Sequence, residues 1–234
     1  MVNTDYTLDA VEMAKWGGYF RHLHFHPCIA SGLKATGNMK PLTDEVKECG
    51  AWCKNGDFRV EKDWDFSNTK SFRYANVIYR EIEAQYVKFL ELTQGEANSY
   101  HVDFHFYDNL RWPVSWAYGK LIRKYGIRSA RYIETYRLHI PGKRNKVKNL
   151  ISLLISYNPY VKSYKSSRVN YFLNNPQIMD ARVIELYVHP DYVDGKLIDN
   201  SIQLYGDKKK KELEEHIKLI KDNSPCEFIS WEDI

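Results

Sequence analysis

Residues 74–105 read YANVIYREIEAQYVKFLELTQGEANSYHVDFH, two different periods separated by a glycine. From Tyr74 to Gln94 apolar residues recur every three or four positions. Ile78, Ile82, Tyr86 and Phe89 then line one side of an amphipathic helix, and Gly95 stands where a C-cap belongs. From Ser99 to His105 the period drops to two, which predicts a strand. A helix that delivers the chain into a strand is half of a βαβ unit, and the neighbouring sequence repeats it. Pro113 sits at a helix start, Val114, Ala117, Leu121, Ile122 and Tyr125 follow at mostly helical spacing, and Gly126 stops the run. Ile127–Ile133 then reads as the next strand.

Upstream, Tyr19–His26 (YFRHLHFH) alternates up to Pro27 and is predicted as an earlier strand. Downstream, Lys146–Tyr157 and Arg168–Leu173 read as helical. Arg182–Val188 (RVIELYV) has the nearly continuous apolar character of a buried parallel strand. Asp207–Lys221 closes the pattern as a helix and Cys226–Trp231 as a strand. Strand and helix in near-regular alternation predict an α/β fold with a parallel sheet, open or closed into a barrel. Residues 33–73, polar and carrying Gly37, Gly50 and Gly56, read as an excursion or lid, and the 234 residues as a single domain.

A chain of this length buries a full core without staples. Its 44% hydrophobic content excludes a disordered or low-complexity protein. No apolar run approaches a membrane span, and the N-terminus lacks a signal-peptide pattern, so the expectation is cytoplasmic with no membrane partner. The net charge of +4 is modest. The basic run Lys208–Lys211 is followed by Glu212, Glu214 and Glu215 at helical spacing, a solvated face in place of a nucleic-acid footprint. Cys28, Cys49, Cys53 and Cys226 form no CxxC pair and read as reduced thiols.

In parallel α/β folds, function gathers where the loops leave the carboxyl ends of the strands. Three predicted strands end in histidine here: His26, His105 and His189. Imidazole serves both as a metal ligand and as a general acid or base near neutral pH. Within HVDFH, residues two apart share a strand face, so His101, Asp103 and His105 point the same way. The convergence points to a mononuclear hydrolytic metal site.

These residues also carry a family likeness. AQYVKFLELTQGEANSYHVDFH resembles the YdjC-like carbohydrate deacetylases, the chitooligosaccharide deacetylase type, whose members join an E-x-x-A-Q helix to a strand ending T-H-x-D-S-H-x-H. RHLHFHPCIASG, KYGIRSARY, IELYVHPDYVDG and the closing KKKELEEHIKLIKDNSPCEFISWEDI are similar to further segments of that family in the same order. The chain differs from the family at Phe104, Tyr107 and Asp191.

The resemblance implies a (β/α) barrel of the polysaccharide deacetylase type, and a metal-dependent hydrolase that removes N-acetyl groups from amino sugars or oligosaccharides. It implies His26 and His105 as ligands of one divalent ion (Mg or Zn), Asp103 as their orienting carboxylate, and His189 as the acid that protonates the leaving amine. Arg131 and Glu185 fall in its substrate pocket. The opening MVNTDYTLDAVEMAK is similar to the family's second strand and its A-V-E-x-A-K helix. The first βα unit, with its N-A-D-D aspartates, is therefore expected to be missing, as it would be in a sequence begun at an internal methionine. His101 and Asp5 are further metal-site candidates on that reading. An open sheet edge would favour a homodimer. The alternative reading is a non-catalytic, glycan-binding homologue with a cleft lined by some of the chain's 18 Tyr and 6 Trp.

Overall fold

The computed structural model describes residues 1–30, 39–60, 72–97, 101–102, 114–127, 129–130, 164–168, 183–187, 190–193 and 196–199, together with Lys218 and Asp222. The described elements fall into two compact units, the first within Met1–Arg131 and the second within Pro159–Ile234.

The first unit is built around two helices of the expected kind. Helices α1 (Thr7–Trp16) and α2 (Asp44–Lys47) precede α3 (Phe72–Thr93), and α4 (Val114–Tyr125) follows it. Ile78, Ile82, Tyr86 and Phe89 of α3 are all buried, as their spacing requires, and Ala117, Leu121 and Ile122 of α4 are buried with them. Both helices stop at the glycines that mark their ends. Gly95 and Gly126 have φ of 70° and 65°, a left-handed turn that a side chain resists. Ile127 N–H then reaches back to the carbonyl of Ile122 at 3.1 Å, satisfying a carbonyl the helix leaves open.

Strands β3 (His101–Val102) and β4 (Ser129–Ala130) flank α4 and pair in parallel, His101 opposite Ser129 and Val102 opposite Ala130. Phe25 bridges Val102 in parallel on the other side. Phe25, α3, β3, α4 and β4 thus follow one another as two consecutive strand–helix–strand crossovers. The predicted strand over Tyr19–His26 is shorter than its alternation indicated. Phe20–His22 is one turn of 3₁₀ helix, and only the residues from Leu23 are extended. Phe20 and Leu23 stand three apart, a spacing that fits a three-residue helical period and not a strand face, and both are half-buried while Arg21 and His22 are exposed.

The middle of the 33–73 segment is a wall of the core. Met39, Val46, Trp52, Cys53 and Phe58 are buried in the same cluster as Phe25 and Ile78. Its strands β1 (Cys53–Lys54) and β2 (Asp57–Phe58) form a hairpin around Asn55-Gly56, with φ of 56° and 84°. That pair matches the two positive φ values such a turn demands.

In the second unit, β5 (Tyr164–Arg168) pairs in parallel with β6 (Val183–Tyr187) over five residues. Arg168 was expected to open a helix; it is the last residue of β5, because five consecutive ladder partners along β6 decide its conformation. β7 (Pro190–Val193) and β8 (Lys196–Asp199) form an antiparallel hairpin with Val193 opposite Lys196. The Asp194-Gly195 pair between them is a short-range hairpin signal that the helix–strand reading passed over. Lys218, within the predicted closing helix, is helical. The predicted helix Lys146–Tyr157 and strand Cys226–Trp231 lie outside the described residues. None of the described helices is long and apolar enough to cross a membrane.

Candidate functional site

The parallel bridge from Phe25 to Val102 determines which residues share one end of the sheet. Because the bridge is parallel, His26, which follows Phe25, lies toward the carboxyl end of the bridged pair; Asp103 and His105 follow Val102 in the sequence but lie outside the described residues. Phe25 is wholly buried under α3, its ring 5.2 Å from Tyr86 and 5.7 Å from Phe89. His26, one residue further, is half-buried.

One polar side chain of α3, Gln85, fixes the backbone just beyond His26, and a second, Glu81, is bonded to it. Gln85 holds Cys28 by both backbone groups: the Cys28 N–H donates to Gln85 Oε1 at 3.0 Å, and Gln85 Nε2 donates to the Cys28 carbonyl at 2.9 Å. Asn3 Nδ2 donates to the same carbonyl at 3.0 Å and to that of Lys40 at 3.3 Å. Glu81, one turn before Gln85 and fully buried, accepts from Gln85 Nε2 at 2.8 Å. It also accepts from Leu42 N–H at 2.9 and 3.0 Å, Thr43 N–H at 2.8 Å and the Thr43 hydroxyl at 2.8 Å. Thr43 is the residue before α2, and its hydroxyl serves Glu81 in place of capping its own helix. One carboxylate and one amide on α3 therefore pin two separate loops, and the loop carrying His26 is one of them.

In the sequence, Glu81 and Gln85 were only letters of the E-x-x-A-Q likeness, without a role. The signal was present. At a spacing of four, they fall inside the stripe of Ile78, Ile82 and Phe89, where a polar residue is buried and has to find partners.

No family model matches the chain. No curated protein matches it either.

The remaining candidates divide clearly. Asp5 is exposed in the turn before α1, and among the described residues no three His, Cys, Asp or Glu side chains come together as a metal site. His101 lies on β3 opposite Ser129, and Glu185 on β6 of the second unit opposite Ser166. Asp103, His105, Arg131 and His189 lie outside the described residues. Among the described residues Cys28, Cys49 and Cys53 form no disulfide, and the Cys28 thiol donates to the Ala30 carbonyl at 3.1 Å. Burial, with a smaller contribution from nearby Glu81, pushes the Cys53 thiol up to about 12, so it is an inert core group and not a nucleophile.

The outer face of α3 is of another kind. An open groove of about 720 Å³ runs along it between Leu42 and Tyr125, with Arg80, Glu83, Lys88, Glu91 and Lys124 on its walls. Glu83 accepts from Lys124 Nζ at 2.6 Å, the Tyr79 hydroxyl at 2.5 Å and the Tyr125 hydroxyl at 3.1 Å. Burial acts to raise the Glu83 carboxyl, but these three donors outweigh it and hold it below the usual range. Arg80 pairs with Glu45 of α2. None of the candidate residues named from the sequence lines this groove.

Proposed function

We propose that this chain is a metal-dependent amide hydrolase that removes N-acetyl groups from amino sugars or their oligomers, on a barrel-type parallel sheet of the polysaccharide deacetylase kind. The observation that carries the reading is the parallel bridge between Phe25 and Val102. It supports a common edge for the two strand ends from which His26 and the H-x-D-x-H residues proceed.

In this reading His26 and His105 hold one divalent ion, Mg or Zn, which when bound supplies an activated water and a charge for the carbonyl oxygen. A half-buried imidazole on a loop pinned two residues later suits a ligand that must not wander. Asp103 orients a ligand imidazole. His189 gives a proton to the departing amine nitrogen, and Arg131 and Glu185 hold the sugar. His101 and Asp5 are the reserve donors. Gln85 is a positioning residue, acting through the backbone of Cys28.

The test is metal analysis of the purified chain together with acetate release from N-acetylglucosamine and its oligomers. His189→Ala is expected to keep the metal and abolish turnover, whereas His26→Ala and His105→Ala are expected to lose the metal. Metal retained in both of the latter variants overturns the ligand assignment. A wild-type chain that binds no divalent ion and releases no acetate overturns the function.

A further inference from the structure

Along the outer side of α3, Arg80, Ala84, Val87 and Glu91 stand at spacings of four, three and four. That spacing makes one stripe down the helix, the kind that forms a seam against a second helix. All four residues line the open groove between Leu42 and Tyr125. Val87, near the middle of the stripe, is 40% exposed, and Arg80 and Glu91 are exposed at its two ends. Leu42 and Tyr125, on the groove's walls, are half-buried.

The charges on this face are of both signs, and their order selects the partner. At the N-terminal end Arg80 is already paired, its Nε donating to Glu45 of α2 at 2.7 Å. In the middle Glu83 is held by Lys124 on the α4 side. At the C-terminal end Lys88 and Glu91 are in no ion pair among the described residues. Lys88 lies on the side of the stripe nearer α2, two helical turns after Glu81, which accepts from Leu42 and Thr43. A two-fold axis crossing the helix between Ala84 and Val87 exchanges the two ends. It brings Glu91 of one copy to Arg80 of the other, Val87 to Ala84, and Lys88 to the level of Glu45. Each paired end then meets an unpaired end of opposite order. A parallel copy would instead set Arg80 against Arg80 and Glu91 against Glu91. A foreign chain of one charge gains at one end of the stripe and loses at the other, whereas an antiparallel copy gains at both.

We propose that two copies of this chain pair through the outer face of α3, antiparallel, about a two-fold axis between Ala84 and Val87. Contact among Leu42, Ala84, Val87 and Tyr125 supplies the attraction, and the charges set direction and register. This surface is distinct from a sheet edge. It holds none of the residues assigned to hydrolysis, so it stands apart from the deacetylase reading.

The test is analytical ultracentrifugation of the full chain over a range of concentrations. Wild type is expected to form a reversible dimer. Glu91→Arg and Arg80→Glu are each expected to weaken it by about tenfold or more, because each sets like charges together at both ends of the stripe. Mixed in equal amounts, the two variants are expected to recover a one-to-one dimer. One of them then carries two positive ends and the other two negative ends. Val87→Asp, which sets a carboxylate beside the axis against its own image, is expected to abolish the dimer. All three side chains are exposed, so circular dichroism of each variant should match wild type. A wild-type chain that stays monomeric at its highest soluble concentration overturns the proposal. So does a dimer that survives both Glu91→Arg and Val87→Asp, as one built on a sheet edge would. Failure of the two charge variants to associate when mixed, with wild type dimeric, overturns the antiparallel register and with it the proposal.

Discussion

Glu81 and Glu83 are two residues apart on α3 and lead opposite lives. Glu81 faces inward, is fully buried, and accepts hydrogen bonds from Leu42, Thr43 and Gln85. Glu83 faces the outer groove and is held by the side chains of Lys124, Tyr79 and Tyr125. The partners differ in kind. Glu81 serves backbone N–H groups of a loop that have no other acceptor, whereas two of the partners of Glu83, Lys124 and Tyr125, have water as an alternative, and only Tyr79 is buried. A buried carboxylate that satisfies several donors is hard to replace, and a partly exposed ion pair contributes little.

That contrast can be broken from its stronger side first. Glu81→Ala leaves the Leu42 and Thr43 donors and one Gln85 hydrogen without an acceptor. It is expected to destabilise the fold by about 3–5 kcal/mol, read as a lower midpoint in urea unfolding. A loss below about 1 kcal/mol would mean that water reaches the loop and that the clamp is not structural. Gln85→Met keeps the volume and removes both bonds to Cys28, at an expected cost of about 2–3 kcal/mol. If His26 holds metal, this variant should also bind it more weakly than its stability loss alone explains.

Alkaline pH probes the burial on the inner side. Burial raises Cys53 from 9.0 to about 12 and, with help from Glu83, Tyr79 from 10.0 to about 12. Both groups are neutral when protonated, and folding favours that form. Their contribution to stability is therefore full below about 9 and is lost as pH climbs toward 12, where the unfolded chain ionises first. The midpoint temperature should fall steadily across that window, and Cys53→Ala should flatten the fall at its lower end. The smallest effect belongs to the outer face. Glu83→Gln removes the Lys124 pair, in which the lysine is more than half exposed, and should cost less than about 1 kcal/mol at neutral pH. Because Glu83 is held below its usual range, that contribution is present above the normal carboxyl range and fades on acidification. The wild type and Glu83→Gln should therefore converge in acid.

Much of the local structure was legible in the chain. The boundaries of α3 and α4, their glycine stops and the buried set Ile78, Ile82, Tyr86 and Phe89 follow from spacing alone, because period and capping are local properties. The hairpin at Asn55-Gly56 could have been read in the same way. Two readings failed for a common reason. Tyr19–His26 alternates only from Leu23 onward and sets Phe20 and Leu23 three residues apart, and Arg168 fits both helix and strand. Local sequence left both ambiguous, and the cap of α1, where Tyr19 N–H donates to the Ala14 carbonyl, decided the first while the ladder with β6 decided the second. The candidate site was legible only as a set of strand-end histidines, of which His26 is described.

The succession of strand, helix and strand from Phe25 to Ala130 is a property of the sequence alone, since hydrophobic period and glycine punctuation act over a few residues. The reach of Glu81 and Gln85 across to Leu42, Thr43 and Cys28 belongs to the folded chain, because their partners lie 38 to 57 positions away and are mostly backbone atoms without sequence identity. The same holds for Trp16, which stands in water at the end of α1. An amphipathic pattern says which face of a helix is apolar; what lies against that face depends on the rest of the fold.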